Sequence, residues 1–421
     1  MSGRGSSPRL LGLATIAWGL VSTVVPSVAR AQSGLLSPSS FSGVIDIRAK
    51  AAQTDSASWV EGGEGKSRFG EGTGIDLGEA TLAWKPRFSS RVVGHLTVQY
   101  QPEFSPSTDI VEAYVSYRPK PGDPIALSAR MGVFFPRISL EHDDLFWSTT
   151  DTITPSAINS WITEEIKVAG LEISSRHAFA KGELTLTFAA FQGNDTAGSL
   201  LAYRGWALHD LKPGLSTKLP LAAFKPGRRG LFPEQTPYTS PTREIDDRIG
   251  GYGMASWRRD GVSISLFHYD NAGDRVTLVR GQYAWQTRFT ALSLRLQPSA
   301  ALDISAQVVR GQTHMGPSLP EIPINIRFQA AYLMATVAAG SSRLAARIEA
   351  FGVDDRSFQL LDDQTERGAA VTLALHRNLT PQLQSRFEVL AIRSRRPDRL
   401  FDGVAARQTD VIAQAALRFS F

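Results

Sequence analysis

Along most of the chain, apolar side chains return at every second position. In VIDIRAKA, Ile45, Ile47, Ala49 and Ala51 oppose Asp46, Arg48 and Lys50. In RVVGHLTVQYQ, Val92, Leu96, Val98 and Tyr100 oppose His95, Thr97, Gln99 and Gln101. In IVEAYVSYR, Val111, Ala113, Val115 and Tyr117 oppose Glu112, Ser116 and Arg118. A period of two belongs to a β-strand with one apolar and one polar face. The same rhythm predicts strands near 75–85, 124–135, 164–175, 183–192, 249–258, 262–270, 283–296, 302–311, 326–338, 343–352, 367–377, 383–395 and 408–421. The segments number about sixteen, each near the length that crosses a bilayer at a tilt.

The connectors fall into two classes that alternate. PRFSS, PKPGDP, RHAFAKG, RRDG, QPSAA, AGSS and RNLTP are short and rich in turn residues. The stretches 52–74, 136–163, 193–248, 313–325 and 394–407 are long. A soluble sandwich or propeller has no reason to alternate this way. A transmembrane barrel with both termini in the periplasm has one, because its turns are short inside and its loops long outside. The predicted fold is all-β, a transmembrane antiparallel β-barrel of about sixteen strands.

The amino terminus fits export. Arg4 and Arg9 precede the apolar run LLGLATIAWGLVSTVV, and Ala29-Arg30-Ala31 supplies a small-residue cleavage site. This predicts a signal peptide over 1–31 and a single mature domain over 32–421, in the outer membrane. Losing Arg4, Arg9 and Arg30 would lower the formal charge from +5 to +2, so the basic balance belongs to the leader. Nucleic-acid binding gains no support from it. Cysteine is absent. No later segment has the run of roughly 18 apolar residues that a membrane helix needs, and mean hydropathy is slightly negative. A barrel is compatible with both, because only alternate residues meet lipid.

The last strand, VIAQAALRFSF, sets Val411, Ala413, Ala415, Leu417, Phe419 and Phe421 against Gln414, Ala416, Arg418 and Ser420. In a closed barrel it must pair with the first strand, leaving no free edge. Its terminal Phe421 resembles the signal by which the barrel-assembly machinery recognises Gram-negative outer-membrane proteins. Glu112, Ala113 and Tyr114, followed by Gly132, Phe134, Pro136, Leu140 and Glu141, resemble the phosphate-selective O/P-type porins. Pro136 stands one residue closer to Phe134 than that pattern has it, and no lysine-rich mouth is evident. The likeness therefore supports the porin superfamily more than the phosphate specificity. It implies a homotrimer, small hydrophilic solutes or anions as cargo, and outer-membrane lipid and lipopolysaccharide as surroundings.

By the same resemblance, the connector over 136–163 folds inward and narrows the channel. Arg137, Glu141, Asp143 and Asp144 lie in it, beside His142. Opposed charges in a narrow passage filter solutes by size and sign. Arg130 and Arg295 face inward by strand parity and complete the expected pore lining. Arg48, Arg347, Arg386 and Arg418 share that face with Glu79, Glu112, Glu172, Glu349 and Glu388. An arginine column that guides anions is one reading of them, and the mixed lining of any water-filled barrel is the other.

Catalytic signals are weak. EGGEGKS ends like a phosphate-binding loop, but Val60 holds its leading glycine position. The seven histidines form no zinc motif, and no G-x-S-x-G elbow occurs. No cofactor is implied. A barrel phospholipase or protease remains the competing class, since its residues can converge from separate strands. The leading expectation is a non-enzymatic porin for passive diffusion, with a specific phosphate or organic-anion channel as the variant within that class.

Overall fold

The computed structural model describes residues 35–120, 122–123, 125–142, 146–222, 232–318, 323–358 and 363–421. The expected leader lies outside them, as do Asp143 and Asp144. Numbering only the barrel strands, the first eight are β1 (Phe41–Gln53), β2 (Gly72–Trp84), β3 (Val92–Tyr100), β4 (Thr108–Tyr117), β5 (Ile125–Phe134), β6 (Val168–Phe179), β7 (Gly182–Gln192) and β8 (Gly250–Arg259). The second eight are β9 (Val262–Asp270), β10 (Gln286–Ser299), β11 (Leu302–Met315), β12 (Ile324–Ala339), β13 (Ser342–Asp355), β14 (Glu366–Asn378), β15 (Leu383–Arg395) and β16 (Arg407–Ser420). They pair antiparallel in chain order into one closed barrel of sixteen strands. β16 pairs with β1 from Ser420↔Val44 to Val411↔Gln53, so neither terminal strand keeps a free edge.

Strand parity sets the two faces. Leu266, Leu292, Val308, Leu333, Ile348, Val371 and Val389 point outward, each roughly half exposed. Asp46, Arg48, Glu79, Glu112, Arg130, Glu172, Arg347, Glu349, Arg386, Glu388 and Arg418 point inward and are all buried. An apolar belt outside and a polar lining inside is the arrangement that lipid imposes on a spanning barrel.

The connections are tightest at one end. Ala180-Lys181, Asp260-Gly261, Ala300-Ala301 and Gly340-Ser341 are two-residue turns. At Asp260-Gly261 both residues have positive φ, 45° and 77°, as a turn matching the strand twist requires.

Four expectations need correction. The strand expected at 164–175 begins only at Val168, because Ala157–Glu165 forms a helix, α1. RHAFAKG is not a loop: Arg176, His177, Ala178 and Phe179 extend β6, and only two residues turn. Val111 does not face lipid. A bulge opposite Thr97 and Val98 shifts the register there, and Val111 is fully buried. The second external connection, 101–107, is no longer than the first turn, 85–91.

Candidate functional site

The described parts of two long connections lie inside the barrel, against the first connection at Trp59, Lys66 and Arg68. The third external loop, 135–167, carries α1, whose nine residues are all buried. Ser156 caps it, its Oγ accepting from Asn159 N at 3.3 Å. The fourth, 193–249, carries the short helix α2 (Ser199–Tyr203). Trp161 of α1 meets Trp206, Phe289 and Phe328 edge-on, at centroid distances of 5.9, 5.0 and 5.0 Å. Leu200, Leu201, Leu208 and Leu211 join this core. The barrel therefore has an apolar interior core, shared between loop residues and inward wall residues such as Phe289 and Phe328.

Inward carboxylates hold the third loop in place. Glu388 accepts the backbone N–H groups of Ile153 (2.6 Å) and Thr154 (3.0 Å). Glu349 accepts Ala157 N at 2.7 Å. Glu141 accepts Ser156 N at 3.1 Å and pairs with Arg347 at 2.7 Å, and Arg347 also pairs with Glu349 at 2.9 Å. Asp151 pairs with Arg343 at 2.6 Å. Buried polar groups need such partners, since an unmade bond here goes uncompensated.

The fourth loop brings the facing charges. Asp210 pairs with Arg48 at 2.6 Å and with Arg68 at 3.0 Å. Lys212 reaches Glu79, which also pairs with Arg418 at 2.7 Å. His209 and Arg204 both contact Glu164 of α1. Glu165 accepts from Trp161 Nε1, Ser199 Oγ and the N–H groups of Gly198 and Leu200, tying α1 to the start of α2.

Between the loops and the wall, Arg48, Arg386, Arg418 and Lys212 face Glu79 and Asp210 across a gap of about 10 Å³. That is room for roughly one water. Arg386 donates to Thr149 O at 3.3 Å and to Gln384, and meets no carboxylate among the described residues. His142 lines the same gap, its ring stacked on Trp147 at 4.8 Å and bonded to Ser139 Oγ at 2.8 Å. Burial, with Lys212 nearby, pushes its pKa down to about 3, so it is neutral.

The expected pore residues are dispersed. Glu141 lies in the buried cluster with Arg347. Arg130 is on the β5 wall, held by a two-pronged contact to Glu172 at 2.7 and 2.9 Å, and its guanidinium lies 4.0 Å from the Phe134 ring centre. Arg137 is exposed. Arg295 lies near the periplasmic end of β10, paired with Asp303 at 2.6 Å in an open cavity of about 350 Å³. Parity alone marked Arg48, Glu79, Arg386 and Arg418. Asp210 and Lys212 were missed, although GWALHDLK places apolar residues among charged ones in a connector too long for a plain loop.

Elsewhere, Asp195, Glu244 and Asp246 bring carboxylate oxygens within 4.8 Å of one another. Burial and the two neighbouring acids raise Asp195 to about 7. These acids accept backbone N–H groups from Gly193, Ile245, Asp247 and Asp274, which gives them a loop-ordering role.

No protein-family model matches the sequence, and no curated protein matches it. Solved structures do resemble the fold. An anion-selective porin from Comamonas acidovorans is 14% identical with a TM-score of 0.51, over 90% of this chain and 98% of that one. The outer membrane channel DcaP of Acinetobacter baumannii is 10% identical with a TM-score of 0.56, over 90% and 96%.

Proposed function

We propose that this chain is an outer-membrane porin through which small hydrophilic solutes diffuse passively, with a preference for anions. One observation carries the preference. Four cationic side chains line the gap against two acids, with Asp46 behind Arg48 at 3.0 Å, and Arg386 pairs with no carboxylate among the described residues. Charges in a confined passage are poorly screened, so a small excess there outweighs many charges at the mouth. A guanidinium binds carboxylate or phosphate as a fork, which makes small oxyanions the solute class we assign. Phosphate itself, suggested by the O/P-type likeness over 110–166, falls within that class. We assign transport rather than catalysis, export through a leader cleaved after Ala31, and assembly as a homotrimer.

In a planar bilayer, the purified protein should give discrete open-channel steps and a reversal potential of anionic sign in a salt gradient. Arg386→Gln should move that potential toward zero. A cationic potential would reverse the charge assignment. Hydrolysis of phospholipid or peptide without channel steps would hand the protein to the barrel hydrolases.

A further inference from the structure

We propose that the outer surface of the barrel carries a docking site for the phosphate groups of lipids in the external leaflet, built from arginines on β10 to β16. On β11 the outward positions read Leu302, Ile304, Ala306 and Val308, and then Arg310. On β14 they read Leu375, Leu373, Val371 and Ala369, and then Arg367. Arg288, Arg327, Arg395 and Arg407 stand one outward position further on, beyond Thr290, Gln329, Arg393 and Thr409, toward the end with the long loops. Each stands where its strand leaves the hydrocarbon and meets headgroups.

The opposite side of the barrel lacks this feature. Across β2 to β8, no lysine or arginine occupies an outward position near the external end. A general need for solubility would spread such charges around the rim. Within the strands they are confined to one arc, which marks a surface that meets something.

Two features identify what it meets. First, Arg288, Arg310 and Arg327 line one cavity of about 240 Å³ on the outer wall. Arg288 has Asp270 at 3.3 Å, whereas Arg310 and Arg327 are exposed and make no ion pair or hydrogen bond among the described residues. Second, Arg367, Arg395 and Arg407 are direct cross-strand partners, three guanidinium-bearing residues side by side. Among the described residues, only Arg367 has an acid, Asp354. Like charges directly opposite destabilise a sheet, so this row is favourable only with an anion laid across it. Phosphate fits, because it bridges several guanidinium forks at once and is the anionic group found at headgroup depth.

The test uses the full barrel in phosphatidylcholine nanodiscs, with or without lipid A, whose sugar carries phosphate. Native mass spectrometry should show lipid A retained by the wild type. Arg310→Ala/Arg327→Ala and Arg395→Ala/Arg407→Ala should each weaken retention by about tenfold or more, as loss of charge-assisted hydrogen bonds implies. Arg259→Ala/Arg377→Ala, which removes the same charge at the periplasmic rim, should leave retention unchanged. Arg395→Ala should also raise the unfolding temperature in phosphatidylcholine alone and lower it with lipid A, a reversal that a structural role would not produce.

Equal loss in all three double variants would reduce the effect to net charge and overturn the site. Release of lipid A by inorganic phosphate at millimolar levels would show a soluble-anion site instead. The inference rests on the outer-membrane reading but not on conduction. A barrel that conducts normally without retaining lipid A sinks this site, and one that retains lipid A without conducting sinks the channel.

Discussion

Gly43 and Phe421 close the barrel on each other. Gly43 N donates to Phe421 O at 3.0 Å, and Phe421 N donates back to Gly43 O at 3.1 Å. The Phe421 ring lies where a side chain at residue 43 would project, so a Cβ there would run into it. The glycine is thus required by the aromatic that covers it, and the pair extends the β1–β16 seam past Ser420. The ring itself is exposed on the outer face beside Phe419, at a centroid distance of 6.2 Å.

This seam predicts two matched defects. Deleting Phe421, or replacing Gly43 with Val, should lower the outer-membrane yield of the heat-modifiable band, because each removes the same closing contact. Gly43→Ala should give a milder loss than Gly43→Val. Equal yields in a sensitised assembly strain would mean that the seam closes without this pair.

Adjacent residues on β13 should respond in opposite ways to the same exchange. Ile348 points to lipid between Leu333 and Val371, while Arg347 points inward between Glu141 and Glu349. Ile348→Arg should destabilise the barrel by about 2–4 kcal/mol, as for a charge near the midplane. Arg347→Ile should cost about 3–5 kcal/mol by leaving buried carboxylates without their partner. Urea unfolding in lipid vesicles measures both. A neutral Ile348→Arg would mean that this strand faces the other way.

Glu388 should control the width of the passage. Glu388→Ala leaves the N–H groups of Ile153 and Thr154 without their acceptor, at about 1–3 kcal/mol each. The third loop should loosen, and single-channel conductance should rise and become noisier. An unchanged conductance would mean that the loop is held by its other wall contacts, Arg343–Asp151 among them.

His142 should make the third loop sensitive to acid. Its folded pKa, near 3, lies below the ordinary 6.5, so the neutral ring is the form the loop accepts. The stabilisation is fully present above 6.5 and is lost as pH falls toward 3. Hydrogen exchange over 146–156 should therefore quicken through that window, and His142→Asn should remove the His142-dependent part. An identical pH profile in the variant would assign the effect to other groups.

The sequence determined the barrel, because a strand's two faces are a property of the backbone alone. Once residues alternate and lipid lies on one side, parity settles which side chains meet it, and Arg48, Glu79, Arg347, Arg386, Glu388 and Arg418 were all placed inward on that basis. It failed where a local irregularity broke the count, as at the Val111 bulge, or where polar residues hid a helix, as in AINSWITEE.

What fills the lumen was decided only by tertiary structure. Asp210 and Lys212 are about 130 or more residues from Arg48 and Glu79 in sequence, as the Lys212–Glu79 separation of 133 shows, and no periodicity links them. A loop has no parity. Its position follows from whether its apolar residues find a core and its charges find partners, and both conditions are met here inside the barrel, where Trp206 packs on Trp161 and Lys212 meets Glu79.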